Sequence, residues 1–170
     1  MELRRSGGSE QDLAPLFVLA LVLVIALQMP LARFARRVGA ARILPAGFGL
    51  LSCAFVAVAL FAWTIPPEGW LRLVPSVLLI TLLTLGQMLI VPVGMDLIPR
   101  FAGQHNLGAH YGALSSMGGI AVLAGNFLLG GLLDNALTPS HGAVIAWLAL
   151  AAVPFLSALA MWRICRQLPP

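Results

Sequence analysis

At 170 residues, with 60% hydrophobic side chains, 9% charged ones and a mean hydropathy of +0.97, the chain lies far from the roughly 25% charge of soluble domains, which excludes a water-soluble globular fold. The formal charge of +4 comes from arginines alone. These sit at the ends of apolar runs rather than in a stripe interleaved with aromatics, which excludes a nucleic-acid-binding surface.

Divided into spans of about 20 residues plus loops, this length allows about five bilayer crossings. Residues 1–13 mix Glu2, Arg4, Arg5, Glu10 and Asp12 with glycines and serines and read as a solvated tail. The first span, 14–31, has no ionisable group, and Pro15 suits its first turn, where a missing N–H costs nothing. It runs on through Gln28, Met29 and Pro30 with no small-residue cleavage site, so a cleaved leader is not expected. The segment from Gln28 to Arg42 then carries Arg33, Arg36, Arg37 and Arg42, the pattern of a cytoplasmic loop.

The second span, 43–65, has Pro45 near its start, with Gly47 and Gly49 placed to let another helix approach. The turn at 66–72 is flanked by Trp63 and Trp70, as at a headgroup belt. The third span, 74–98, contains Thr81, Thr84, Gln87, Pro92 and Gly94, with a kink expected near Pro92. Asp96, Pro99 and Arg100 mark its exit into a polar loop at 99–109.

The fourth span, 110–133, holds Gly112, Gly118, Gly119, Gly125, Gly130 and Gly131. In a soluble helix each glycine would cost about 1 kcal/mol relative to alanine. In lipid the helix persists because its backbone has no other partner, and the glycines become contact surfaces. Gly112, Gly119 and Asn126 recur every seven residues on one face. A polar turn opened by Asp134 leads to the fifth span, 144–162, which ends in the anchor Trp162, Arg163 and Arg166. The pattern is that of an all-α integral membrane protein of about five transmembrane helices, a partial bundle over 14–166.

Placing the arginine loop inside puts Arg33, Arg36, Arg37, Arg42, Arg100, Arg163 and Arg166 on that side, against Arg4, Arg5 and Arg72 outside. The expected topology is an outside N-terminus and a cytoplasmic C-terminus. No acid falls at mid-depth. Asp96 and Asp134 stand at span ends, as interfacial caps or as gate contacts between helices. Gln87 and Asn126 lie deep, with Thr81 and Thr84 beside Gln87, and serve either as helix–helix hydrogen bonds or as cavity lining. Cys53 and Cys165 lack ligand spacing and read as buried thiols, and His105, His110 and His141 as loop or helix-end residues. No nucleophile with a base, phosphate-cradling loop or carboxylate pair is present, so neither an enzyme nor a metal or cofactor site is expected.

The segment from Ala32 to Gly39 resembles a degraded second copy of the cytoplasmic-loop motif of the major facilitator superfamily, which in full reads G-x-L-A-D-R-x-G-R-R. Ala32 stands at the first glycine, Phe34 at the leucine, Ala35 at the alanine, Arg36 at the acid, Arg37 at the arginine and Gly39 at the second glycine, with Arg33 between. The acid is replaced by a base. Gly108, Tyr111 and Gly112, followed by the glycines down to Asp134, resemble the eleventh helix of the superfamily's bacterial drug:proton antiporters.

The resemblance implies helices eight to twelve of a twelve-helix, proton-coupled multidrug efflux permease in a bacterial inner membrane. It further implies a small amphiphilic substrate, and a chain supplying the other seven helices, without which this one would not transport. It moves Gln28, Gln87 and Asn126 towards cavity lining; Asp96, Arg100 and Asp134, placed at span ends by the sequence, are the candidate gate charges. The other reading is a free-standing membrane scaffold that binds partners through its glycine faces.

Overall fold

A computed structural model describes residues 13–62, 73–102, 106–134 and 141–167. All five expected spans are helices: α1 (Leu13–Val38), α2 (Ala40–Ala62), α3 (Val74–Ala102), α4 (Leu107–Asp134) and α5 (His141–Gln167). Each is long and apolar enough to cross a membrane. The reason is local and strong: hydrocarbon offers no partner to a free N–H or C=O, so an apolar run of this length satisfies its backbone by coiling.

Helix ends depart from the ends of the apolar runs. α1 continues past Leu31 to Val38, so Arg33, Arg36 and Arg37 ride on its last turns, and Arg42 lies in the first turn of α2. The arginine loop thus shrinks to a single residue. Gly39 takes φ +89°, which L side chains rarely adopt, and its N–H still donates to Ala35 O at 3.0 Å. Its own carbonyl then accepts the N–H of Ile43 at 3.1 Å, so one glycine closes α1 and opens α2. α3 likewise runs through Pro92 and Pro99 to Ala102 rather than ending before the latter.

The helices alternate in direction. The N-terminal halves of α1 and α3 share a pocket, as do their C-terminal ends, so these two run parallel. Gly47 and Leu51 of α2 meet Ile90 and Gly86 of α3 in reverse order, and Ser52 and Phe55 of α2 meet Ala151 and Trp147 of α5 the same way. This gathers Arg33, Arg36, Arg37, Arg42, Arg163 and Arg166 at one end of the bundle. There the Arg166 guanidinium lies 3.7 Å from the centre of the Trp162 ring.

α2 is the hub, packed along both α3 and α5, while α1 leans on α3. Between helices in lipid, packing rather than the hydrophobic effect supplies the attraction, so close approach decides which pairs hold. The α2–α5 seam is built from Ser52, Val58, Ala59, Ala146 and Ala151, all buried. Trp147, 5% exposed, is the large side chain in it and stacks on Phe55 with centroids 6.4 Å apart. Ser52 Oγ donates to Ala151 O at 2.9 Å. The bond reaches across from one helix backbone to the side chain of another, so it fixes the two helices in register.

The α2–α3 crossing rests on two glycines. A Cβ on Gly47 would come within 2.7 Å of Ile90 Cγ1, and one on Gly86 within 2.7 Å of Leu51 Cδ2 and 3.1 Å of Gly47 O. Gly49, expected to share this role, has open space around it, since two residues further along a helix lies nearly opposite. Cys53 also faces outward rather than into the core, and Cys165 is half-buried.

α4 stands apart. No residue of its apolar stretch is buried, Phe127 is 89% exposed, and Gly112, Gly118, Gly119, Gly125, Gly130 and Gly131 have no atom within 4 Å of a would-be Cβ.

Gly86→Ala is therefore expected to destabilise the bundle by about 1–3 kcal/mol through overpacking at a backbone contact. Gly119→Ala should instead be neutral or stabilising by up to about 1 kcal/mol. Thermal unfolding of the two variants in detergent checks the contrast, and equal shifts would refute it. Ser52→Ala, which removes the side-chain hydrogen bond from α2 to the Ala151 carbonyl of α5, should cost about 0.5–1.5 kcal/mol in the same measurement.

Candidate functional site

Two small pockets bring together residues singled out from the sequence. The first, of about 200 Å³, lies between α1 and α3 and is lined by Val24, Gln28, Thr84, Gln87, Met88, Val91 and Pro92. Gln28 reaches it because α1 and α3 run parallel, which sets residues from the middle of each side by side. Thr84 and Gln87 are three residues apart on one face of α3, the spacing that superposes side chains on consecutive turns. Neither amide has a hydrogen-bond partner among the described residues, and both side chains are exposed, so both are available to a guest. Pro92, also in the lining, has no N–H for the Met88 carbonyl one turn back along α3.

Chemically this pocket is neutral. It offers two amides and a hydroxyl among aliphatic and thioether surface, with no ionisable side chain in its lining. Such a lining orients an amphiphilic molecule by a few hydrogen bonds and otherwise accepts apolar surface. Its volume falls below the roughly 300–1,000 Å³ of complete small-molecule sites, as one wall of a larger cavity would. Asn126 does not join it: it lies exposed on α4, away from the α1–α3 groove.

The second pocket, of about 300 Å³, sits at the arginine end and is lined by Ala35, Arg36, Gly39, Ala40, Val93, Asp96 and Leu97. Here the glycine that joins α1 to α2 meets the last turns of α3. Arg36 and Asp96, of opposite charge and from different helices, share one concavity. Ala32, Arg33 and Arg37, also picked out by the loop motif, lie on the same turns but outside this lining. The side chains of Arg100 and Asp134 lie outside the described residues.

At the same end, α4 begins at Leu107, just after Asn106, whose φ is +64°. The Asn106 carbonyl accepts the N–H of Ala109 at 3.0 Å and of His110 at 3.3 Å, and His110 Nδ1 lies 3.1 Å from the same oxygen. Gly108 falls in this first turn and Gly112 in the next. Tyr111 Oη donates to the Met95 carbonyl of α3 at 3.5 Å.

Sequence reasoning singled out neither Ser52 nor Gly86, whose roles lie in contacts with other helices. A serine within an apolar span is the visible signal for the Ser52 bond. The pairing itself bridges 99 positions and has no local signature.

No protein-family model and no solved structure matches the chain. Over 130 residues it is 28% identical to an uncharacterized MFS-type transporter of Mycobacterium tuberculosis strain H37Rv, and equally to a putative uncharacterized MFS-type transporter of strain CDC 1551. The alignment takes in 73% of this chain but 30% of each relative, so the chain spans under a third of the length of the curated relatives it matches.

The shared wall has a direct check. With Cys53 and Cys165 first replaced by serine, the double variant Gln28→Cys/Gln87→Cys should be bridged by a short bifunctional thiol reagent. Gln28→Cys/Asn126→Cys should not. Bridging of the second pair, read on a gel after cleavage between α1 and α3 or between α3 and α4, would contradict the described geometry.

Proposed function

We propose that this chain forms the C-terminal part of a secondary-active, proton-coupled permease of the major facilitator superfamily, exporting small amphiphilic molecules across a bacterial inner membrane. Its α1–α5 then correspond to helices eight to twelve of a twelve-helix transporter. The observation that carries the reading is the neutral pocket joining Gln28, Thr84 and Gln87 between two parallel apolar helices, in a chain similar to part of an MFS-type transporter.

In this role the α1–α3 groove is one wall of a central cavity, and Asn126 on α4 approaches it once helices from the remainder of the permease close around the bundle. The α4 glycines, around which an added Cβ would find open space, become the surface on which that remainder slides as the cavity opens to alternate sides. Gathering of arginines at one end supports a cytoplasmic placement of the α1–α2 junction and of the C-terminus. Arg36, where the full motif has an acid, faces Asp96 across the second pocket, so any latch at this junction works with the charges in exchanged places.

Proton coupling needs a group that can gain and lose a proton at membrane depth, and the described spans carry no acid there. The coupling acid is assigned to the remainder of the permease. Chain-alone vesicles are therefore expected to show no uptake of a fluorescent cationic dye under an imposed pH gradient, and uptake would overturn the partial-permease reading. Sequencing the DNA immediately upstream of the Met1 codon gives a second check: seven apolar spans, in frame or one frameshift away, are expected. A separate promoter and ribosome site with no such spans would favour the free-standing scaffold.

A further inference from the structure

The seam between α1 and α3 holds a further pocket, of about 620 Å³, at the end of the bundle remote from the arginines of α1. Pro15, Leu16 and Leu19 of α1 line it together with Val74, Val77 and Leu78 of α3. These side chains are all aliphatic, and Thr81 supplies the only hydroxyl among the described lining residues.

This apolar pocket continues into the neutral one. Thr81 lines the first and Thr84 the second, three residues apart on one face of α3 and so on consecutive turns. The two parallel helices carry the pair of pockets in the same register. Thirteen residues separate Pro15 from Gln28 and Val74 from Gln87 alike, about 20 Å of helix axis. Along that length the lining changes once, from aliphatic surface to two amides and a hydroxyl, and neither pocket has an ionisable side chain in its lining. Charge enters the seam only beyond them, at Arg36 and Asp96.

We propose that the two pockets form one elongated site for a single-chain amphiphile, its uncharged hydrogen-bonding head at Gln28, Thr84 and Gln87 and its apolar tail laid between Leu19 and Val77. That this ligand is cargo rests on the permease reading; the binding site itself does not. A primary amide or hydroxyl head exchanges donors and acceptors with the two glutamines, whereas a charged head would lose its water against walls without a counter-charge. The tail needs length more than bulk, because the groove runs along the helices.

The test uses the full chain in lipid nanodiscs and hexadecanamide carrying a photoactivatable diazirine either beside its amide or near the end of its tail. Labelled peptides are mapped by mass spectrometry, with Phe155 and Leu156, exposed on α5, as the reference for plain bilayer contact. The head-placed group should label the wall around Gln28 and Gln87, and the tail-placed group segments 15–19 and 74–78, both above the reference. Gln28→Leu/Gln87→Leu should lower both labels about tenfold, since each lost hydrogen bond weakens binding several-fold. Val77→Trp, which fills the outer pocket from an exposed position, should remove the tail label and leave labelling by a head-placed hexanamide analogue unchanged. Unlabelled hexadecanamide should compete, and hexadecyltrimethylammonium about tenfold less well, because burying an unpaired charge costs more than burying a hydrogen-bonded amide. Equal competition overturns the uncharged head. Tail labelling that survives loss of both glutamines, or that a hexadecane analogue without the amide reproduces, reports bilayer acyl chains only and overturns the site. Head labelling with tail labelling no higher than at Phe155 overturns the tail assignment and leaves the neutral pocket as a binding site; loss of both labels overturns that pocket as well.

Discussion

The structure depends on the need to satisfy backbone polar groups where water is scarce. Five apolar stretches become helices for this reason, and four of those helices contain prolines that open gaps in the ladder: Pro30, Pro45, Pro92 with Pro99, and Pro154. A side-chain hydroxyl from a neighbouring helix serves one of these gaps. Tyr111 binds the Met95 carbonyl freed by Pro99, while Ser52 adds a bond to the Ala151 carbonyl, which keeps its own helical donor. Pro99 thus turns a local requirement into a tertiary one, because the missing bond of one helix is met by a residue on another.

Packing then divides the bundle into unequal parts. α2, α3 and α5 form a block through small residues, with the Gly47–Gly86 crossing on one side of α2 and the serine- and alanine-rich seam on the other. In lipid this distribution sets rigidity directly, since apolar side chains facing one another gain little over apolar side chains facing acyl chains. α4 has the most glycine and the least contact. A rod of that kind is held by what it meets at its ends, and at the arginine end it meets Asn106 and the Met95 carbonyl.

The neutral pocket follows from the same frame. α1 leans on α3 in parallel, and the groove between them receives a polar side chain from each at matching depth. Gly39, by ending one helix and starting the next within a single residue, keeps α1 tied to α2 and so holds it against the block. The pocket at the arginine end is the lower margin of this arrangement, where Arg36 and Asp96 are carried together by helices with few residues in sequence between Gly39 and the core.

Helix number, approximate span, the end at which arginines gather and the polar residues at depth were all legible from residue order, because each depends on hydropathy or charge along one segment. The run of arginines at 33–42 looked like a loop, yet α1 extends through most of it, since long charged side chains reach an aqueous boundary without the backbone leaving its helix. Contacts between segments were not legible. Gly-rich α4 advertises close packing but leaves open space beside its glycines at 112, 118, 119, 125 and 130, whereas single glycines at 47 and 86 make the tight crossing. Gln28 and Gln87 share a wall and Asn126 stands away from it, a distinction set by which helices lie side by side. Sequence by itself determined what each segment must become in a medium without water; tertiary structure alone decided which segments meet, because small residues permit contact without choosing a partner.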